Sequence, residues 1–123
     1  MFDKELVLSI LLQIEEALVK IKNRSVTADS AAFFTDSPQG MEKLDSICML
    51  FIAIGESVKK IDKITEGRVL KKYSAIDWIG VKGFRDIVAH HYFDIDAEQV
   101  HWIIKNHIDP LLRTIRQMIK DLE

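Results

Sequence analysis

The sequence predicts an all-α fold: an up-and-down bundle of four main helices with one or two short ones. Apolar residues recur every three or four positions over long stretches, and no stretch alternates in the way a half-buried strand would. Only 2 prolines and 5 glycines interrupt 123 residues rich in Leu, Ile, Lys and Glu, a balance that favours helix. A chain of this length, with no internal repeat, is expected to form one domain over residues 1–123.

The first helix is expected over residues 3–23, where Val7, Ile10, Leu11, Ile14, Leu18 and Ile21 form one stripe. Lys20, Lys22 and Arg24 suit the negative end of its dipole. Residues 25–36 read as a connection with a short helical turn, in which Phe33 and Phe34 can cover the core. Ser37-Pro38 opens a long helix reaching about residue 63, since proline fits the first helical position and serine accepts an orphan amide. Its apolar face runs from Met41 and Leu44 to Val58 and Ile61, and Met49, Leu50 and Ile52 widen it beyond what one neighbour needs. A dimer contact would explain the surplus. Gly55 costs about 1 kcal/mol against alanine there, which implies that another backbone or a substrate passes close.

Residues 65–73 read as a short helix or turn opened by Thr65. The fourth helix is expected from Asp77, carrying Trp78, Phe84, Ile87 and Val88 inward, with Gly80 and Gly83 spaced for tight helix packing. The last begins at Asp96, with Asp96 and Gln99 as a capping pair, and should kink or restart at Pro110 with Asp109 as cap.

The lone Cys48 excludes an intramolecular disulfide and lies on an apolar stripe, so packing is its expected role, in a reducing cytoplasm. No basic leader opens the sequence and no apolar run approaches a membrane span. The net charge of -2 argues against a general nucleic-acid binder. Charge is uneven, however. Lys59, Lys60, Lys63, Arg68, Lys71, Lys72, Lys82 and Arg85 outnumber the acids around them, and could guide an anion or simply form a solvated face.

The run Arg85-Asp86-Ile87-Val88-Ala89-His90-His91-Tyr92 concentrates the chemistry. Arginine is always charged and grips phosphate with two prongs; histidine exchanges protons near neutrality. Together they could cleave RNA without a metal: His90 as base or acid, Arg85 against the phosphate's developing charge. Five residues along an ideal helix leave Arg85 and His90 about 140° apart, so convergence needs a helix end near His90 or a second copy sharing the cleft. Asp86, four residues before His90, could bond its imidazole.

Arg-x4-His-x-Tyr in a small helical chain resembles the HepT-like ribonuclease toxins of the HEPN superfamily. Ile54-Gly55-Glu56 and Asp77-Trp78-Ile79-Gly80 are similar to further features of that family. The resemblance implies a HEPN-like bundle, a homodimer with paired motifs, and a metal-independent endoribonuclease acting as a toxin. It also implies catalytic roles for Arg85 and His90. The partner would be a small nucleotidyltransferase antitoxin of the MntA type, which attaches adenylate to the tyrosine, here Tyr92. Glu56 would be a salt-bridge partner of the arginine or a surface carboxylate, and His91 fills the unspecified position. Relatives commonly carry a neutral amide after the arginine, so Asp86 departs from the pattern. No cofactor is implied.

Arg85 and His90 could merely stabilise a dimer through hydrogen bonds, and two further rival readings stand beside this. His90, His91, Asp86, Asp94 and Asp96 are clustered, but adjacent histidines on a helix diverge by about 100° and no His pair at four-residue spacing occurs. His101 and His107 read as surface or boundary residues. The other rival is a catalytically inactive helical module that docks on a nucleotidyltransferase.

Overall fold

Helix α1 (Lys4–Arg24) lies between two other long helices, α3 (Pro38–Ile64) and α6 (Ala97–Leu122), and packs on both. A computed structural model describes residues 2–89 and 93–123, and every regular element among them is helical. Three short helices also pack on α3: α2 (Ala32–Thr35), which reaches α6 as well, α4 (Trp78–Lys82) and α5 (Phe84–Ala89). Read around the bundle, the order is α6, α1, α3, then α4 with α5, which face α6 again across a groove. The stripe predicted for α1 is buried as expected, and with Leu44, Ile47, Phe51, Ile54, Val58 and Ile61 of α3 it builds one core.

Local signals set most helix starts. Asp3, Ser37, Asp77 and Asp96 each accept the amide N–H three residues on, at 3.0 to 3.1 Å. Such caps contribute about 1 kcal/mol each. Phe34 is fully buried by the short turn of α2, as its position in the connection suggested.

Tertiary structure alters four local expectations. The fourth helix is split: Gly83 ends α4, its N–H bonded to the carbonyls of Ile79 and Gly80, and α5 begins at the next residue. Gly80 does not serve helix packing either. A Cβ there would meet the Asp77 Oδ2 at 2.6 Å, so the glycine leaves room for the capping carboxylate. Thr65 closes α3 rather than opening a helix, with its hydroxyl donating to the Ile61 carbonyl at 2.9 Å. Glu66 and Gly67 then reverse the chain in the left-handed region, and a 3-10 turn follows at Leu70–Lys72. Finally, α6 runs through Pro110 without restarting. The carbonyl that proline leaves unpaired belongs to Asn106, which is exposed and can be hydrated. Asp109 is not a cap; it pairs with Lys22 of α1 at 2.8 Å, which holds its carboxyl below the usual range.

No helix among the described residues is long and apolar enough to cross a membrane. Cys48 is buried, and burial first, then nearby Asp45, pushes its thiol up to about 11. That is the environment of a packing residue.

Candidate active site

Gly55 decides how the motif helix is mounted. A Cβ at this position would lie 3.1 Å from the Val81 carbonyl oxygen and 3.4 Å from that of Lys82. The predicted close approach is therefore the α4–α5 junction lying on α3. Phe84, the first residue of α5, is buried and stacks on Phe51 of α3, with centroids 4.9 Å apart and planes at 26°. Lys82, at the end of α4, forms a half-buried ion pair with Asp62 of α3. A glycine, a stacked ring and an ion pair thus fasten two short helices that could not persist alone.

This mounting puts Arg85 at the surface beside Glu56, the residue after Gly55. The Arg85 Nη1 donates to the Glu56 Oε1 at 2.9 Å, with both side chains about half exposed. Lys59 reaches the same oxygen at 3.9 Å. One carboxylate therefore faces two cations, and the group keeps a formal surplus of one positive charge. An exposed pair of this kind stabilises the fold by about 0–1 kcal/mol, so an incoming phosphate can displace Glu56 at low cost. In Ile54-Gly55-Glu56 the three residues supply a core side chain, a gap for backbone, and a partner for arginine.

The second feature, Asp77-Trp78-Ile79-Gly80, is the anchored start of α4. Trp78 is buried and its indole N–H donates to the Tyr73 carbonyl at 2.9 Å. The Tyr73 hydroxyl in turn donates to Asp121 Oδ2 near the end of α6, at 2.6 Å. Burial, then this hydrogen bond, pushes the Tyr73 phenol up to about 12. Sequence alone gave no sign of this long-range pair.

Asp86 is exposed in the first turn of α5. The remaining motif residues His90, His91 and Tyr92, and with them the expected Asp86–His90 bond and the convergence of Arg85 with His90, lie outside the described residues. Residues 93–94 lie in a turn, and Asp96 caps α6.

The other histidines behave as boundary residues. The His101 Nε2 bonds the Ala28 carbonyl at 3.0 Å, while exposed His107 lies against Trp102. Within the basic stretch, Arg68 pairs with Glu66. Lys60, Lys63, Lys71 and Lys72 are exposed and have no ion-pair partner among the described residues.

The chain belongs to the HepT-like ribonuclease family, whose model, described as "Ribonuclease HepT-like", matches residues 7–118. It is similar to three proteins of Methanocaldococcus jannaschii, each named as a candidate RNase. Identity is 34% to MJ0127, 37% to MJ0125 and 36% to MJ1216, in each case over 70 residues, or 57% of this chain. Those alignments cover 54%, 57% and 54% of the respective relatives, so the chain matches them over little more than half their length. No solved structure matches it.

Proposed function

We propose that this protein is a metal-independent endoribonuclease and the toxin of a toxin–antitoxin pair. The observation that carries the reading is Arg85. Its guanidinium is held at the surface on a short, firmly mounted helix, five residues before a histidine, in a chain of the HepT-like ribonuclease family.

In the reaction, His90 takes the proton from a ribose 2′-hydroxyl, and the resulting oxygen attacks the adjacent phosphorus. The bond to the 5′-oxygen breaks, and that oxygen leaves with a proton returned from an imidazolium. Products are a cyclic phosphate and a free 5′-hydroxyl. Arg85 exchanges Glu56 for the phosphate and stabilises charge gathering on its oxygens. No step requires a metal.

A homodimer fits this chemistry. Met49 is 65% exposed on α3 while Leu50 and Ile52 are half-buried, and Met49, Ile52 and Glu56 follow one another on a single helix face. A second copy covering Met49 would therefore lie close to Arg85, as a shared cleft demands. Tyr92 is the proposed site at which a nucleotidyltransferase antitoxin attaches adenylate, placing an anion where the RNA phosphate should sit.

One measurement tests the core of this. Purified protein is given single-stranded RNA in excess EDTA. Cleavage to cyclic-phosphate ends is expected, falling at least about 100-fold in Arg85→Ala and in His90→Ala with folding unchanged. A strict requirement for magnesium would reject the mechanism. Intact RNA binding with no cleavage by any preparation would instead favour the inactive docking module.

A further inference from the structure

One face of α3 stays largely open to solvent, and its character changes halfway along. Met49, Ile52 and Ala53 make the first half apolar; Lys59, Lys60 and Lys63 make the second half basic, and all three lysines are exposed. On an α-helix, Glu56, Lys59, Lys60 and Lys63 fall within an arc of about 100°. The change comes at Glu56, the carboxylate to which Arg85 of α5 donates. A file of cations thus starts at Arg85 and continues through Lys59 and Lys60 to Lys63, next to the end of α3.

The acids nearby do not neutralise this file. Residues 56–72 hold six Lys and Arg against three Asp and Glu, in a chain whose formal net charge is -2. Asp62 is engaged by Lys82 from α4, and Glu66 by Arg68 at 3.6 Å. Glu56 is shared between Arg85 and Lys59, while Lys60 and Lys63 have no ion-pair partner among the described residues. Lys59 and Lys63 stand four residues apart and Lys60 and Lys63 three apart, so their charges repel along one face. An anion lying along the file would relieve that repulsion.

The residue types also say how such an anion would be held. Lysines are point charges on flexible stems, and phosphate contacts made by them position a strand without reading its sequence. No aromatic residue occurs between positions 52 and 63, so nothing on the file would stack on bases. From Glu56 to Lys63 the helix axis advances by about 10 Å, the length of about three stacked nucleotide steps. We propose that Lys59, Lys60 and Lys63 form a track for the sugar-phosphate backbone of a single RNA strand flanking the phosphate at Arg85. The inference rests on the ribonuclease reading and adds to it where the neighbouring nucleotides lie. A second copy seated on Met49 would cover the apolar half of this face and leave the basic half open to the strand.

Fluorescence anisotropy on the full chain tests this, with a labelled RNA whose 2′-hydroxyls are methylated so that it binds without being cut. Affinity should rise as the strand is lengthened from about two to about eight nucleotides. Lys60→Gln combined with Lys63→Gln should remove most of that rise. For the longer strand it should weaken binding at least about tenfold and lower the slope of log affinity against log salt by about 1.4. Lys105→Gln combined with Lys120→Gln makes the same change in net charge on α6 and should bind as the unaltered chain does. All four lysines are exposed, so thermal unfolding should change little in either variant. No measurable binding, affinity indifferent to strand length, or equal effects of the two double variants would overturn the track, whether or not RNA is cleaved. Polyglutamate that displaces the strand as well as unlabelled RNA does would overturn its assignment to a nucleic acid. Length- and lysine-dependent binding with no cleavage of unmethylated RNA would instead keep the track and reject the ribonuclease reading.

Discussion

The two sides of helix α5 are built on opposite principles. Toward α3, Phe84 is locked on Phe51 and the backbone rests on Gly55, and the charged pair Arg85–Glu56 sits in water above that packing. Toward α6, Ile87 lines an apolar groove whose neighbouring depressions carry Asp96, Glu98 and Lys105 on one side and Arg113 on the other. The first side is rigid beneath and polar on top, which suits a group that must hold one position while exchanging partners. The second is apolar beneath and open. A six-residue helix can support both only because nearly all its own stability comes from α3.

The largest effect should come from removing the lock. Phe84→Ala deletes a buried ring from both surfaces at once and is expected to cost about 3–5 kcal/mol. Urea denaturation would show it as a lowered midpoint. A loss under 1 kcal/mol would mean that α5 is not held through this residue.

Gly55→Ala isolates the mounting from the core. Alanine gains about 1 kcal/mol in helix propensity, but its methyl would crowd the Val81 carbonyl. Little change in melting temperature is expected, together with a clear fall in RNA cleavage as the Arg85 helix is pushed outward. Full activity in this variant would separate the position of α5 from catalysis.

Glu56→Gln acts on the exposed pair alone. It keeps an acceptor for Arg85 and removes a negative charge beside the proposed phosphate position. RNA affinity at low salt should rise a few-fold, an advantage that fades as salt screens the site. Weaker binding would make Glu56 a required positioning group rather than a displaceable one.

The smallest effect concerns the pair that joins the start of α4 to the end of α6. The Tyr73 phenol has a folded value, about 12, above its ordinary one near 10, so its contribution is complete below about pH 10. That contribution is lost as pH rises through about 12. Asp121 is shifted down, chiefly by the Tyr73 hydroxyl. Its share is present above the ordinary carboxylate value and disappears as pH falls through the lower folded one. Tyr73→Phe should therefore flatten the alkaline end of a stability–pH profile and slightly loosen the groove. An unchanged profile would show that the bond is not formed in solution.

Much of this molecule was legible from local chemistry. Periodicity identified α1, α3 and α6; Ser37, Asp77 and Asp96 marked starts with their own side chains; and the intrinsic cost of Gly55 announced a close neighbour. Arg85 could be singled out because its charge and its spacing to His90 carry meaning before folding. What the sequence could not yield was partnership. Gly80 and Gly83 looked like a packing pair, yet one makes room for a cap and the other stops a helix. Pro110 looked like a kink or a restart, yet α6 runs through it, and the carbonyl it orphans belongs to an exposed residue, Asn106. Whether Arg85 meets Glu56, whether Tyr73 meets Asp121, and whether Trp102 is left uncovered depend on which helices lie side by side. That choice is made by summed burial across the core, which no local stretch of residues contains.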